Sequence, residues 1–357
     1  MKAALLSGGS ISSKWTFEAM KKHFDEVDDL RIKKIEVVMA GKSLEVLYEG
    51  KPLPHYDCIY AKGSFRYASV LRTLTSVLYG ETYFPLTPVS FSLGHDKLLT
   101  HLELQRHKIH MPKTYVASTD SAKAILDKVS YPIVMKFPSG TQGKGVMFAD
   151  SFSSASSMLD ALVALKQPFI IQEYIETSGV DIRAIVVGDK VVACMKRKAV
   201  EKEKRANIHA GGKGEPYFAS PEVRKLAVDT AKAIGAEICA VDILESPKGA
   251  LVIEVNLSPG LQEITTATKT DVASKIAKYL YDRTDEFLSS TKKTGAAKIM
   301  QELGIEKDEE NPLITTLDMR SGRILLSKIL TDKTGFDDKS DVVIKAEKNR
   351  LLIEKFK

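Results

Sequence analysis

Several features are missing from this sequence, and each absence excludes something. No uninterrupted apolar run approaches the ~20 residues that span a bilayer, so no transmembrane helix is expected. The apolar stretch Ala3-Ala4-Leu5-Leu6 is too short for a secretion signal. It reads instead as a buried strand that ends in the turn Ser7-Gly8-Gly9-Ser10. Cysteine is scarce: Cys58, Cys194 and Cys239 are the only three, and none stands at metal or disulfide spacing. That pattern favours a reducing, cytoplasmic setting. Neither sign of charge dominates, with 52 Lys+Arg against 46 Asp+Glu and a formal net charge of +6. A mildly basic surface suits an anionic partner, which a phosphate-bearing small molecule satisfies as well as nucleic acid does. Internal repeats and low-complexity segments are also missing.

What remains is ordinary globular material. Hydrophobic residues make up 44% and charged residues 27% of 357 residues, which excludes a disordered or fibrous chain. The length predicts two or three domains. The first 85 or so residues alternate strand-like and helix-like patterns, predicting a small α/β layer with parallel strands. Strands are expected over Lys2–Leu6, Ile32–Met39 and Tyr56–Tyr60, with a helix over Trp15–Phe24. Phe84-Pro85-Leu86-Thr87-Pro88 reads as a linker. Beyond it the spacing predicts helices over 95–107, 153–165, 221–234 and 270–287, interleaved with short strands. Lys292–Asn311 is charged and is expected to carry a short helix at best.

Four motifs carry chemistry. In Ile133-Val134-Met135-Lys136-Phe137-Pro138-Ser139-Gly140-Thr141-Gln142-Gly143-Lys144-Gly145 a strand delivers Lys136 into a glycine-rich loop. Glycines let backbone N–H groups approach phosphate oxygens, and the lysine supplies charge. An ordinary hairpin turn is the plainer reading. In Ile170-Ile171-Gln172-Glu173-Tyr174-Ile175 a strand runs into a polar segment that could face an adenine edge, with Asp181 in reach of a ribose. A simple strand with an exposed Glu173 is the alternative. The run Arg205-Ala206-Asn207-Ile208-His209 precedes a glycine pair, and Arg205 with Asn207 could hold a transferring phosphoryl group.

The fourth motif is the most informative. Ala240–Leu244 and Leu251–Asn256 flank the turn Ser246-Pro247-Lys248-Gly249. A hairpin centred near Lys248 sets Asp242 directly opposite Glu254, and Asn256 shares the face of Glu254. Opposed carboxylates in an apolar setting repel. A divalent cation such as magnesium or manganese would relieve that repulsion; an exposed acidic face is the bland alternative.

In order and spacing these motifs resemble the ATP-grasp carboxylate–amine ligases, and among them the RimK-type α-L-glutamate ligases. Gly-Thr-Gln-Gly-Lys-Gly-Val at 140–146, Gln-Glu-Tyr-Ile at 172–175, Arg-Ala-Asn-Ile-His-Ala-Gly-Gly at 205–212 and Glu-Val-Asn-Leu-Ser-Pro-Gly-Leu at 254–261 carry the likeness, which spans about residues 1–285. The resemblance implies a mixed α/β and α+β chain. A small Rossmann-like domain over 1–87 would precede an ATP-grasp domain over 88–288, whose nucleotide-binding part covers about 97–175 and whose metal-binding part covers about 176–288. It also implies ATP and two Mg2+ or Mn2+ ions. Lys97, Lys136, Gly140, Gln142 and Gly143 would hold phosphates, Glu173 and Tyr174 the adenine, and Asp181 the ribose. Arg205 and Asn207 would touch the γ-phosphate and the acyl phosphate, and Asp242, Glu254 and Asn256 the metals. The substrates would be an amino acid, glutamate first, and a carboxylate acceptor: a peptide, a protein C-terminus or a coenzyme tail. Gln262-Glu263-Ile264-Thr265 departs from the family pattern of an acid and glycine followed by a Thr-Gly pair, beside the expected acceptor position.

After a charged linker over 289–312, residues 313–357 resemble an AbrB-type swapped hairpin, a dimerising module that implies a homo-oligomer. Such a small β segment has little core of its own. Acids and bases are intermixed there, which does not favour nucleic acid. The competing reading of the whole chain is an ATP-binding regulator that uses this hairpin to contact DNA or a partner.

Overall fold

The computed structural model describes residues 1–41, 43–138, 145–199, 213–247 and 249–302, with shorter stretches between 318 and 356. Two compact units emerge, Met1–Lys292 and Lys293–Lys357.

The first unit opens with a parallel three-stranded sheet. Lys2–Ser7 lies in its centre, between Glu26–Arg31 and Cys58–Ala61. Ala3, Ala4, Leu5 and Leu6 are fully buried, as a central parallel strand covered on both faces requires. Glu26–Arg31 carries two apolar residues, Val27 and Leu30, so periodicity did not mark it; it is an edge strand. The expected strand Ile32–Met39 is corrected. Ile32–Lys34 forms a 3-10 turn, and Ile35–Ala40 pairs antiparallel with Ser43–Tyr48 in a separate sheet. The first helix is Ile11–Met20 rather than Trp15–Phe24, because the Ser10 side chain caps it by accepting from the Ser13 N–H.

Next comes an antiparallel four-stranded sheet in the order Thr114–Tyr115, Ile170–Glu173, Ile133–Lys136, Val146–Ala149. Helices Thr119–Leu126 and Phe152–Ala164 close a core of their own over it, built on Leu126, Met135, Leu159 and Ile171.

The largest sheet is antiparallel throughout: Lys213–Pro216, Lys190–Lys198, Val180–Val187, Ile238–Ser246 and Gly249–Asn256. Helix Pro221–Ile234 packs against it, started by the Ser220 cap and Pro221 and stopped by Gly235 at φ +73°. The hairpin register differs from a single centre at Lys248. Next to the turn Ser246 faces Gly249 and Ile243 faces Val252. A bulge between Asp242 and Ile243 then shifts the register, and it is this shift that sets Asp242 opposite Glu254 and Ala240 opposite Asn256.

A helix runs over Val272–Glu302, past the end of this unit at Lys292, so the charged segment carries more helix than expected. In the second unit Asp318–Arg320 pairs with Arg323–Leu325, and Val342–Glu347 with Arg350–Lys355. Among the described residues, no helix is long and apolar enough to cross a membrane.

Candidate active site

Three residues far apart in sequence, Lys97, Lys136 and Glu254, are linked within the first unit. Lys136 ends its strand, and the next residues turn back so that the Phe137 N–H donates to the Gly145 carbonyl. Gly145 has φ +77°, and a Cβ there would stand 2.2 Å from the Phe137 ring, so only glycine fits this closure. The Lys97 N–H donates to the Pro138 carbonyl at 3.0 Å, tying the start of helix Lys97–Arg106 to the end of the Lys136 strand. Asp96 caps that helix by accepting from the N–H groups of Leu98 and Leu99. The Lys97 ammonium in turn lies 3.4 Å from a Glu254 carboxylate oxygen.

Lys136 donates to Gln172 Oε1 at 2.6 Å, and Gln172 Nε2 donates to Thr114 Oγ1 at 2.8 Å. Burial pushes the Lys136 ammonium down to about 8; Glu254 opposes that change and Lys97 adds to it. Gln172 had no role in the sequence reading beyond membership of its motif. Its burial marks it as the group that fixes Lys136.

One face of the five-stranded sheet carries alternating charges. Asp181 and Arg183 share a strand at i, i+2. Arg197 faces Asp181 from one neighbouring strand, and Asp242 faces Arg183 from the other. Arg197 donates to both oxygens of Asp181, at 2.6 and 2.7 Å, and Arg183 grips both oxygens of Asp242, at 2.8 and 2.7 Å. Arg197 also reaches Asp242 at 2.9 Å, completing a buried chain of four groups. Burial alone would raise Asp242, but Arg183 and Arg197 outweigh it and hold the carboxyl well below the usual carboxylate range. Burial raises Asp181, against the pull of Arg197.

These contacts bear on two expectations. Asp181, expected at a ribose, is gripped through both carboxylate oxygens by Arg197 inside the sheet. The repulsion between Asp242 and Glu254, from which a cation was argued, is already relieved by the two arginines and by Lys97. Neither arginine was singled out in the sequence, although Asp-x-Arg on a strand is a period-two signal for one shared face.

A divalent cation can still be tested against the residues present. The Glu254 side chain is 34% exposed and Asp242 only 4%, so Glu254 and the half-buried Asn256 offer the accessible oxygens. Hard oxygen donors of this kind fit Mg2+ or Mn2+. Among the described residues no cluster of three or more His, Cys, Asp or Glu could hold a metal, so the candidate set is two carboxylates and an amide.

In the segment expected to face adenine, the Glu173 carboxylate accepts from the Lys113 N–H at 2.8 Å. Tyr174 meets Phe148 edge to face at 6.0 Å. Gly140, Gln142, Gly143, Arg205 and Asn207 lie outside the described residues. The fold thus pairs Lys97 with Glu254 and leaves Lys136 within reach of both charges, with Asp242 across from Glu254 on the adjoining strand.

A profile described as the RimK-like ATP-grasp domain matches residues 94–280, the segment that supplies every one of these side chains. The chain belongs to the RimK-like ATP-grasp family. It is therefore an ADP-forming ATP-grasp ligase of the carboxylate–amine class. A RimK-like relative from Marinomonas sp., named a probable alpha-L-glutamate ligase, is 40% identical over 304 residues, covering 83% of this chain and 99% of that protein. A relative of the same name from Methanococcoides burtonii is 37% identical over 290 residues, covering 78% of this chain and 95% of its own. Among solved structures, a RimK domain ATP-grasp protein from Sphaerobacter thermophilus superposes with a TM-score of 0.61 at 20% identity, over 78% of this chain and 99% of that one. The ATP-grasp ligase PsnB, complexed with a phosphomimetic variant of its minimal precursor, Mg and ADP, gives 0.62 at 15% identity over 79% and 98%. At these identities the two structures establish the shared fold.

Proposed function

We propose that this RimK-like ligase is an α-L-glutamate ligase, joining the amine of L-glutamate to a carboxylate at a peptide or protein C-terminus or on a coenzyme tail. The convergence of Lys97, Lys136 and Glu254 carries the reading, because it sets two cations and an oxygen ligand around one point. The probable alpha-L-glutamate ligases matched over almost their whole length support the choice of glutamate. PsnB with its precursor supports a peptide acceptor.

In the proposed reaction an acceptor carboxylate oxygen attacks the γ-phosphorus of ATP, and the bond to the bridging oxygen breaks to release ADP. The glutamate amine then attacks the acyl carbon of the resulting acyl phosphate. A C–N bond forms, inorganic phosphate leaves, and the amine proton passes to solvent. Lys97 and Lys136 hold the phosphates, joined by Gly140, Gln142 and Gly143, while Arg205 and Asn207 face the γ-phosphate. Glu173 and Tyr174 line the adenine. Glu254 and Asn256 hold divalent cations, Mg2+ or Mn2+ and two in number, with Asp242 contributing the lone pairs its arginines leave. Bound there, the metal supplies charge neutralisation to the phosphates. Positioning and charge are the protein's share of such a transfer.

Incubating the protein with ATP, Mg2+, labelled glutamate and a panel of peptides and carboxylates should release ADP and add glutamyl residues by mass. Glu254→Gln should keep the wild-type melting temperature and lower ADP release by about a hundredfold or more. Full activity of that variant would sink the metal assignment. Glutamate-independent turnover of the wild type would sink the choice of glutamate.

A further inference from the structure

Seven buried side-chain polar atoms lack a hydrogen-bond partner among the described residues, and four belong to one small region: Asp29 Oδ1, Arg31 Nη1, Tyr60 Oη and Lys62 Nζ. All four lie at the carboxyl end of the parallel three-stranded sheet. In register, Asp29, Leu5 and Tyr60 form one row, and Arg31 faces Ser7 two residues on. The Lys62 N–H donates to the Leu6 carbonyl at 2.8 Å, continuing the pairing by one step and setting Lys62 beside Ser7. Side chains in such rows alternate by two, so Asp29, Arg31, Tyr60 and Lys62 emerge on the same face.

Their charges do not cancel. Arg31 pairs with Asp29 at 2.9 Å through Nη2, which leaves its Nη1 without an acceptor. The Lys62 residue is 4% exposed, its ammonium lies 5.6 Å from the Tyr60 ring centroid, and among the described residues no carboxylate pairs with it. Burial pushes Lys62 down to about 8, with no opposing charge. Gly9, at φ +81°, leaves room for the Arg31 guanidinium over the turn: a Cβ there would stand 2.6 Å from Nη1. A buried ammonium without a counter-charge is costly. A sheet that keeps one at the carboxyl ends of its parallel strands has it where open α/β sheets bind ligands.

The same edge touches the loop that leaves the metal-facing strand. The Gly63 N–H donates to Ser258 Oγ at 2.9 Å, and Ser258 Oγ donates back to the Gly63 carbonyl at 3.0 Å. Ser12 Oγ donates to Gln262 Oε1 and accepts from the Leu261 N–H at 2.8 Å. Ser258 is two residues beyond Asn256, so Lys62 is one residue from a direct link to the catalytic strand's exit.

We propose that Lys62 and Arg31 form the subsite for a non-reacting carboxylate of the amino-acid substrate. The inference rests on the ligase reading above and adds to it the group that selects an acidic substrate. Lys62 supplies the charge, Arg31 Nη1 a directed donor, and Asp29 holds the guanidinium in place. The ligand's carboxylate fills the acceptor role that these donors lack within the protein.

The test uses Lys62→Met, which preserves length and removes charge, with Lys62→Arg as its conservative partner. Because Lys62→Met deletes an uncompensated buried charge, its melting temperature should equal or exceed that of the wild type. Its KM for glutamate should rise about tenfold or more while KM for ATP and kcat stay near wild type. Any preference for glutamate over glutamine should disappear, and Lys62→Arg should restore part of it. Glutarate serves as a turnover-independent probe: calorimetry should show binding to the wild type and its loss in Lys62→Met. If the wild type turns over glutamate and Lys62→Met keeps the same KM and preference, the subsite is overturned and the ligase reading stands. If the wild type shows no glutamate-dependent turnover, the choice of glutamate fails. Glutarate binding then decides the subsite alone, and equal binding or none in both proteins overturns it.

Discussion

Two sheets of the same unit treat buried charge in opposite ways. On the five-stranded sheet, Asp181, Arg197, Asp242 and Arg183 alternate in sign, and every contact in the chain is a short, charge-assisted hydrogen bond. On the three-stranded parallel sheet, Asp29, Arg31, Tyr60 and Lys62 each leave a buried polar atom without a partner among the described residues. The first arrangement is complete within the protein and holds strands in register beside Glu254, on the same face. The second is complete only with something bound. Pairing builds a scaffold, and its absence at a strand edge marks a place kept for a ligand.

Breaking the paired sheet should have the largest effect. Arg197→Met leaves Asp181 and one side of Asp242 uncompensated in the interior, and should cost about 3–5 kcal/mol in urea denaturation. A loss below about 1 kcal/mol would show that the network is not the scaffold described. Next in size is the support of Lys136. Gln172→Leu removes the acceptor for its ammonium and the link to Thr114. KM for ATP should rise roughly tenfold, the worth of one hydrogen bond to a charged group. An unchanged KM would mean that burial alone positions the lysine.

The pH profile separates the lysines from the arginines. Lys136 is pushed down to about 8 from its ordinary 10.5, and it loses its proton in the folded protein before it does in the unfolded chain. Between about pH 8 and 10.5 the unfolded state therefore binds more protons, so this group makes stability rise with pH. Phosphate binding needs the charged form, so kcat/KM for ATP should fall as pH rises through about 8. In Gln172→Leu that fall should begin at lower pH, because the charged form loses its acceptor. A flat profile to pH 10 would refute the assignment. The smallest effect belongs to an exposed pair, Lys278 with Asp282 at 2.9 Å. Lys278→Ala should be indistinguishable from wild type in both denaturation and turnover, since exposed ion pairs contribute little.

Several local placements were legible before the structure, though not always for the right reason. Facing carboxylates at Asp242 and Glu254 were expected from a hairpin centred near Lys248, and the pair does face. The pairing arises because a bulge after Asp242 shifts a register that starts one residue off. The strand ending in Lys136 and the helix Pro221–Ile234 were read from periodicity and caps, both of which are local. Glu26–Arg31 escaped because an edge strand is specified by its neighbour more than by its own apolar content. The Arg197 partner of Asp181 escaped because it lies on the adjoining strand, outside the motif that carries Asp181.

The sequence by itself determined the family, through short motifs whose order is as specific as their content, and the elements whose signals lie within a few residues. Only the tertiary structure decided which charges are spent and which are kept. Which arginines grip Asp242, which one grips Asp181 and how Lys62 is buried all depend on groups tens of positions away or more. Those groups are brought within about 3 Å only by sheet register, and at that range in a buried setting pairing or its absence sets the chemistry.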